Sequence, residues 1–564
     1  MDSKTSQITG AEAFARMLQL SGVRHIFGLC GDTSLPFYDA LARLDHGMAH
    51  VLTRDERSAA YMADGYARVS GRVGVCEGPS GGGATYLLPG VVEANESSVP
   101  VLAFNSDIST SARGRFALTE LDQQALYRPL TKWNAVIDRA ADLPRLVRRA
   151  FAEMASQRPG ATHLALPFDV QKQMVDASEV WADPSMASIP ARRCTPDEGA
   201  MREAAEHLAR AKRPVLVVGG GVVIAGAQAE LLALATALGA PVATTISGKG
   251  SIAETHPLAL GVVGSNGGVL PTRAVVQEAD LVFFIGCRAG SVTTERWRYP
   301  APGGATVLHL DADPRVPGAN YPTAVALVGD AKPGLAGIVA ALPKVQAGSW
   351  GAQAVAAARE AKFSAFRLLA GSKDTPIRPE RLVADLQSVL PEDAIVVADA
   401  GTPCPYFSAY YVQKRIGRHC FSNRAHGALG YSMAAAAGAW FARPDAKVVA
   451  VMGDGSFGFT CGEMETLVRH RIPITMVVVS NATYGWIKAG QKTGFSERYY
   501  SVDFARTDHA AVASAFGVKS WYVEDPAQLA GVLRQAVELD APTLVDVVCQ
   551  PLQEARAPVS EWIA

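Results

Sequence analysis

The stretch that decides the fold is Val448-Val-Ala-Val-Met-Gly453-Asp454-Gly455-Ser456-Phe457. An apolar run of strand length leads directly into Gly-Asp-Gly. The glycines let backbone N–H groups approach an anion closely, and the Asp454 carboxylate is a hard oxygen ligand at the carboxyl end of the strand. A second apolar strand, 474–479, leads into Ser480-Asn481-Ala482-Thr483-Tyr484-Gly485.

The spacing of the two polar residues predicts a metal site. Asn481 follows Asp454 by 27 residues, which is room for one strand–helix–strand unit, with the helix expected over about 462–470. In a parallel sheet this unit returns Asn481 to the same edge as Asp454. A carboxylate, an amide and a backbone carbonyl suit Mg²⁺, which keeps positions open for phosphate oxygens. The alternative is an ordinary turn, because short glycine motifs are common.

The whole chain predicts an α/β protein. Its 564 residues, 49% of them hydrophobic, are too many for a single core. Short β-branched runs alternate with amphipathic helical stretches from start to finish, which favours parallel sheets flanked by helices. We expect three domains, each a doubly wound, mostly parallel sheet between helices, over residues 1–185, 195–345 and 376–555.

Composition also excludes several classes of function. The formal net charge is −1, so no basic field attracts nucleic acid or a membrane surface. The N-terminus lacks a basic segment followed by an apolar one, and no apolar run reaches the length of a transmembrane helix. We therefore expect a cytoplasmic protein whose partner is a small-molecule substrate, with neither nucleic acid nor membrane involved.

The segment Thr53-Arg-Asp55-Glu56-Arg-Ser-Ala-Ala-Tyr-Met-Ala-Asp-Gly-Tyr-Ala-Arg68 resembles a motif of thiamine-diphosphate enzymes. The motif reads His-Glu-x-x-Ala-x-x-Met-Ala-Asp-Gly-Tyr-Ala-Arg, so Asp55 replaces histidine. With Gly-Asp-Gly and Asn481, the chain resembles the superfamily of acetolactate synthase, pyruvate decarboxylase and 2-hydroxyacyl-CoA lyase or oxalyl-CoA decarboxylase. The resemblance implies that Glu56 activates the cofactor at its aminopyrimidine. The alternative is that Glu56 caps the following helix, with Asp55 or Thr53.

The resemblance assigns the cofactor's contacts. The first domain would bind the pyrimidine, and the third would bind the diphosphate and Mg²⁺, with Asp454, Asn481 and the main-chain carbonyl of Thr483 as metal ligands. Active sites would lie between the subunits of a homodimer or homotetramer. Leu429 would wedge the cofactor into a bent shape, although plain core packing also explains it. The expected cofactor-binding residues are Gly81, Gly82, Thr402, Leu429, Gly453, Gly455, Ser456, Tyr484 and Gly485.

Three further residues are candidate proton carriers beside Glu56. His426 lies in a segment similar to the family's cofactor wedge, and histidine is a residue type that serves as acid or base; a structural role is the alternative. Asp32 follows Cys30-Gly31 as in pyruvate decarboxylases, but could equally cap a helix. Glu497 comes shortly after the metal segment, and a solvated surface glutamate is the alternative.

The expected substrate pocket contains Thr119, Gln123 and Trp486. The run from Thr119 to Gln123 resembles Gln-Glu-Leu-Asp-Gln of oxalyl-CoA decarboxylases and 2-hydroxyacyl-CoA lyases, with threonine in place of the first glutamine. Acetolactate synthases continue after the metal-site asparagine with Gly-Met-Val-x-Gln-Trp. Here the last position is Gly490, which predicts open space for a larger acyl group.

These resemblances imply an enzyme that makes or breaks a carbon–carbon bond through a carbanion–enamine intermediate. The leading expectation is 2-hydroxyacyl-CoA lyase-like or related acyloin-forming chemistry. The alternatives are acetolactate synthase-type condensation of 2-oxo acids, 2-oxo-acid decarboxylation and, from another class, a non-catalytic thiamine diphosphate-binding protein. Gly286-Cys-Arg-Ala289 resembles a central-domain motif that accompanies FAD or ADP, and an empty structural domain is the alternative.

Overall fold

The computed structural model describes residues 6–344, 347–555 and 557–562, so the expected domain limits at residues 1 and 345 lie outside it. The chain forms two compact units. The first unit contains Met1–Arg192 together with Asn423–Asp445 and Thr460–His470, and the second contains Arg193–Ser422, Ala446–Phe459 and Arg471–Ala564. The three domain ranges expected from the sequence stay a prediction.

The first unit is built on a six-stranded sheet whose strand pairs are parallel. In sheet order its strands are Ala49–Leu52, His25–Gly28, Gly74–Gly78, Val101–Asp107, Thr162–Pro167 and Trp133–Val136. An antiparallel pair, Gln7–Thr9 with Met174–Asp176, is separate from it. The α-helices of this unit are Gly10–Leu20, Leu35–Arg43, Glu56–Ser70, Gly82–Tyr86, Leu88–Glu96, Gln123–Tyr127, Leu143–Ala155, Ser432–Ala442 and Met464–Arg469.

The first helix shows how local sequence sets these elements. It begins after its N-cap Thr9, whose hydroxyl accepts the Glu12 N–H at 3.2 Å while the Glu12 carboxylate accepts the Thr9 N–H at 3.1 Å. This reciprocal capping box satisfies two backbone donors at the helix start. Phe14 on its buried face packs edge to face against Phe37 and Phe104, with ring centroids 5.6 and 4.9 Å away.

The second unit contains two more six-stranded sheets with parallel strand pairs. In sheet order the middle sheet has Ala259–Val262, Val242–Thr244, Pro214–Val218, Leu281–Ile285, Thr306–Asp311 and Val325–Val328. The C-terminal sheet has Cys420–Ser422, Ile395–Ala398, Val448–Gly453, Thr475–Ser480, Thr543–Val548 and Lys519–Val523. The predicted α/β class with three parallel sheets flanked by helices is confirmed.

The α-helices that begin in the second unit are Glu198–Arg210, Gly220–Ala225, Gln228–Leu238, Leu270–Gln277, Ser291–Thr294, Ala331–Ala341, Trp350–Ala370, Pro379–Val389, Pro403–Tyr410, Asp454–Thr460, Gly485–Gly494, His509–Ala515 and Pro526–Glu538. One element differs from expectation. A helix already begins at Asp454, and the α-helix expected over 462–470 is the shorter Met464–Arg469. The sequence hid the first helix because its glycines are typical of turns.

Two helices of the first unit cross in direct backbone contact. A Cβ atom on Gly65 would lie 2.1 Å from the carbonyl oxygen of Ala435, and one on Gly438 would lie 1.9 Å from the carbonyl oxygen of Met62. Both distances are too short for any side chain. The helix Glu56–Ser70 is therefore fixed against the helix Ser432–Ala442 by the absence of side chains at the crossing.

Among the residues described, no helix combines the length and the hydrophobicity that crossing a bilayer requires.

Candidate active site

The predicted metal residues Asp454 and Asn481 follow the carboxyl ends of two neighbouring strands in the C-terminal sheet. The strands Val448–Gly453 and Thr475–Ser480 are neighbours, and Gly453 pairs with Val479. Asp454 Oδ2 accepts the backbone N–H groups of Asn481 and Ala482 at 2.7 and 2.6 Å. The strand–helix–strand spacing thus brings the two polar residues together, as parallel topology requires.

The Asn481 side chain lacks a hydrogen-bond partner within the described part of the chain. Its Oδ1 and Nδ2 atoms are both buried and unsatisfied, which is unfavourable unless a ligand completes the site. Ala482 beside it has φ +56°, a left-handed conformation that is uncommon for alanine. A carboxylate, an orphaned amide oxygen and the adjacent Thr483 carbonyl form a hard oxygen donor set that fits Mg²⁺.

Burial raises the pKa of Asp454, and the backbone N–H groups of Asn481, Ala482 and Gly455 oppose that rise. The donors favour the carboxylate form, which is the form that binds a cation. Asp454 thus accepts main-chain hydrogen bonds from three residues of this site, and these donors partly offset the cost of burying its charge.

The glycines of this loop differ in what surrounds them. A Cβ atom on Gly455 would lie 2.7 Å from Cε1 of Tyr484, so the ring of Tyr484 requires a glycine there. A Cβ atom on Gly485 would lie 3.2 Å from Oγ1 of Thr402, which brings the predicted phosphate-binding threonine to the same loop. Gly453 faces open space, and Ser456 is buried.

Glu56 is a buried residue at the start of the helix Glu56–Ser70. The alternative role, capping that helix, belongs to Asp55, whose side chain accepts the Arg57 N–H at 2.7 Å. Burial is the main cause that raises the Glu56 pKa, and the charges of Asp55 and Glu77 add to it. A raised pKa favours the protonated carboxyl group, which suits the predicted role at an aminopyrimidine nitrogen.

Two glycines give the Glu56 side chain its space. A Cβ atom on Gly78 would lie 3.2 Å from Cγ of Glu56, and one on Gly83 would lie 3.2 Å from its Oε1. The glycine-rich turn 78–83, which contains the predicted cofactor-binding residues Gly81 and Gly82, therefore lies against the carboxyl group.

The same turn meets one predicted substrate residue. Gly81 has φ +66°, and a Cβ atom on it would lie 2.8 Å from Cβ of Thr119. The Thr119 hydroxyl lies 2.7 Å from that of Ser80, so Thr119 is tied to the turn. Gly82 opens the next helix and faces open space.

Gln123 is buried nearby in the same unit. Its amide donates to the carbonyl oxygen of Ser106 at 3.0 Å, and its Oε1 has no partner among the residues described. Like Asn481, Gln123 thus keeps one buried acceptor available for a ligand. The third predicted pocket residue, Trp486, is half-buried in the second unit.

The three extra proton-carrier candidates are exposed. The backbone N–H of His426 donates to Glu93 at 2.8 Å, which fixes its loop but leaves the ring role a prediction. Asp32 accepts the Thr33 N–H at 2.8 Å within a short 3₁₀ turn whose N-cap is Gly31, so its role as a proton carrier or as a cap stays a prediction. Glu497 has φ +60°, and its exposure favours the surface alternative. Leu429 is half-buried, and its wedge role also stays a prediction.

Two buried carboxyl groups escaped the sequence analysis. Glu463 accepts the Arg54 N–H and the Thr466 hydroxyl, both at 2.8 Å, and burial raises its pKa to about 7. Nothing in the linear sequence marks it, because its partner Arg54 is distant along the chain. Glu77 is fully buried and accepts the Tyr38 hydroxyl. Its signal was visible as a glutamate inside the apolar strand Gly74–Gly78.

The glycines of the middle sheet serve packing between loops. A Cβ atom on Gly219 would lie 2.1 Å from the carbonyl oxygen of Gly286, and one on Gly221 would lie 2.6 Å from its Cα. The two loops can approach only because side chains are absent. A bound FAD or ADP in this region stays a prediction.

Comparison with known families identifies three matching domains along the chain. Residues 8–126 match the thiamine pyrophosphate enzyme N-terminal TPP binding domain, residues 201–338 the central domain, and residues 399–547 the C-terminal TPP binding domain. The chain belongs to the thiamine pyrophosphate enzyme family. It is therefore a thiamine-diphosphate-dependent enzyme, and the expectation of this cofactor is confirmed.

Three relatives that match nearly the whole chain are named as acetolactate synthase large subunits. A "Probable acetolactate synthase large subunit" of Methanococcus aeolicus is 34% identical over 96% of this chain and 92% of its own length. The protein of the same name from Methanocaldococcus jannaschii is 35% identical with the same coverage. The "Acetolactate synthase isozyme 3 large subunit" of Escherichia coli is 31% identical over 94% of this chain and 92% of its own length.

Proposed function

We propose that this enzyme condenses two 2-oxo acids, with loss of CO₂ from the first, in the manner of an acetolactate synthase. The observation that carries the proposal is the similarity to proteins of that name along 94–96% of the chain. It supports this alternative better than the leading sequence-based expectation of 2-hydroxyacyl-CoA lyase-like chemistry. With pyruvate as both substrates, two molecules would give one acetolactate and one CO₂.

Thiamine diphosphate, when bound, supplies a nucleophilic carbon and an electron sink for the bond that breaks next to the carbonyl. Asp454, Asn481 and the Thr483 carbonyl would hold Mg²⁺ with the diphosphate, and Thr402 would donate to a phosphate oxygen. The support for these roles is the oxygen donor set and the unsatisfied Asn481 amide.

Glu56 would hold a proton on its carboxyl group and donate it in a hydrogen bond to the aminopyrimidine. Its burial and its raised pKa support this role, because a neutral carboxyl group donates where a carboxylate cannot. Gly81 and Gly82 would let the main chain approach the same ring. Active sites between the subunits of a homodimer or homotetramer belong to the same proposal.

The test is a product assay with thiamine diphosphate and Mg²⁺. Pyruvate alone should give acetolactate and CO₂ in equal amounts, and a 2-hydroxyacyl-CoA should remain intact. Cleavage of the CoA ester to an aldehyde and formyl-CoA without acetolactate would reverse the order of the two candidates. Acetaldehyde as the sole product from pyruvate would instead establish 2-oxo-acid decarboxylation.

A further inference from the structure

Two tryptophans meet over a glycine on the helix that follows the metal loop. Trp486 and Gly490 are four residues apart in the helix Gly485–Gly494, so they share one face. The ring of Trp562, from the C-terminal segment, lies 5.1 Å from the ring of Trp486 at an angle of 60°. The Cβ and carbonyl oxygen of Trp562 both lie 3.8 Å from where a Cβ atom on Gly490 would be.

The segment 557–562 is fixed by its main chain to the middle of the second unit. Gly267 donates its N–H to the carbonyl oxygen of Pro558 at 2.8 Å, and Ser560 donates its N–H to the carbonyl oxygen of Ser265 at 2.9 Å. These bonds set the path of the chain that leads to Trp562.

Side chains of the segment add to this anchor. The Ser560 hydroxyl donates to Glu295 at 2.8 Å, and Glu561 forms ion pairs with Arg298 and, at 3.4 Å, with Arg296. The position of Trp562 is therefore set by the hydrogen bonds and ion pairs of the preceding residues as well as by its own contacts.

The helix that carries Trp486 begins directly after the proposed metal loop. Gly485, its first residue, follows Thr483 by two positions and lies against Thr402. An aromatic pair one helical turn from such a loop is suited to line an apolar pocket with a few polar groups at one end.

We propose that Trp562 limits the size of the second 2-oxo acid by filling the space above Gly490. This inference rests on the proposed function. It revises the expectation that Gly490 opens the pocket for a larger acyl group, because a side chain from the C-terminal segment occupies the space that the glycine leaves.

The decisive variant is Trp562→Ala. With pyruvate as first substrate, we expect kcat/KM for 2-oxopentanoate as acceptor, relative to pyruvate, to rise by about tenfold or more, the scale on which pockets discriminate single methylene groups. Gly490→Trp in the Trp562→Ala background should restore the original ratio by filling the same space from the helix. Gly490→Trp alone should collide with Trp562 and lower the thermal midpoint.

Trp181→Ala is the matched control. This tryptophan is 54% exposed and belongs to the first unit, so its removal should leave the acceptor ratio unchanged. Near-UV circular dichroism gives a readout independent of activity: the signal of the Trp486–Trp562 pair should disappear in both Trp562→Ala and Trp486→Phe.

The outcomes separate the two proposals. If the wild type makes acetolactate and Trp562→Ala loses the paired signal but keeps the acceptor ratio, the size-limiting role is wrong and the proposed function stands. If the wild type binds thiamine diphosphate but makes no acetolactate, both proposals fail. A raised ratio that Gly490→Trp reverses supports the inference.

Discussion

Asp454 supports the main chain of Asn481, the residue with which it would share a metal ion. Its Oδ2 accepts the Asn481 N–H at 2.7 Å, while both polar atoms of the Asn481 side chain stay unsatisfied within the described chain. One carboxylate thus orders the loop and leaves the neighbouring amide available to a ligand. Removing it should affect the loop and the metal together.

Asp454→Asn should weaken thiamine diphosphate binding in the presence of Mg²⁺ by about 100-fold or more, because it removes the charge and presents an amide NH₂ to backbone donors. Fluorescence titration with the cofactor at several Mg²⁺ concentrations measures this. Asp503→Asn, at an exposed partner of Lys488 near the same loop, should bind normally. Equal binding by Asp454→Asn and the wild type would contradict the metal assignment.

Glu56→Gln should lower turnover by about 10²–10⁴-fold, because the glutamine amide has the shape of the glutamate side chain but cannot take up and release a proton as the carboxyl group does. Cofactor affinity measured by calorimetry should stay within a few-fold of wild type. Glu153→Gln, at a partly exposed glutamate on the helix Leu143–Ala155, is the comparison. Full activity in Glu56→Gln would refute the role of Glu56.

Mixed oligomers should test whether active sites lie between subunits. If one subunit supplies Glu56 and another supplies Asp454, co-expression of Glu56→Gln with Asp454→Asn should regenerate some intact sites although each variant alone is inactive. Activity of the purified mixed species, isolated with two different tags, is the measurement. A mixed species as inactive as its parents would argue against shared sites.

Glu463 should make stability depend on pH near neutrality. Burial raises its folded pKa to about 7 from an ordinary 4.5, so its contribution to stability is fully present below about pH 4.5 and is lost as pH rises through 7. The wild type should lose on the order of 3 kcal/mol relative to Glu463→Gln between pH 4.5 and 8. Urea unfolding at both pH values measures the difference, with Glu153→Gln as comparison. An unchanged difference would show that the pKa of Glu463 is the same in the folded and unfolded states.

The sequence correctly predicted that Asp454 and Asn481 lie close together at the carboxyl ends of their strands, because a parallel sheet allows few other arrangements. Once Gly453 ended one strand and Ser480 the next, the strand–helix–strand rule placed Asp454 beside Asn481. The resemblance around Glu56 pointed to a buried carboxyl group, and the structure adds the capping role of Asp55 that frees it. Both features depend on local sequence or on the order of the strands, so a sequence pattern can predict them.

What the sequence missed depends on distant contacts. Glu463 and Arg54 are 409 residues apart, and no spacing rule predicts that the main chain of one meets the carboxylate of the other. The contact between Trp562 and Gly490, in which the Trp562 Cβ lies 3.8 Å from where a Cβ atom on Gly490 would be, likewise joins residues that no local pattern connects. A side chain that is missing from a family motif can be replaced by a residue from a distant part of the chain, as we propose for Gly490 and Trp562.

The crossing at Gly65 and Gly438 has a consequence for how this enzyme can diversify. Glu56 is the first residue of a helix that packs against its neighbour through direct main-chain contacts. No substitution at either glycine can adjust this contact in small steps. Loops whose glycines face open space, such as those at Gly290 and Gly348, have no such constraint. Laboratory evolution should therefore accumulate changes in those loops, while both glycines persist in every functional survivor.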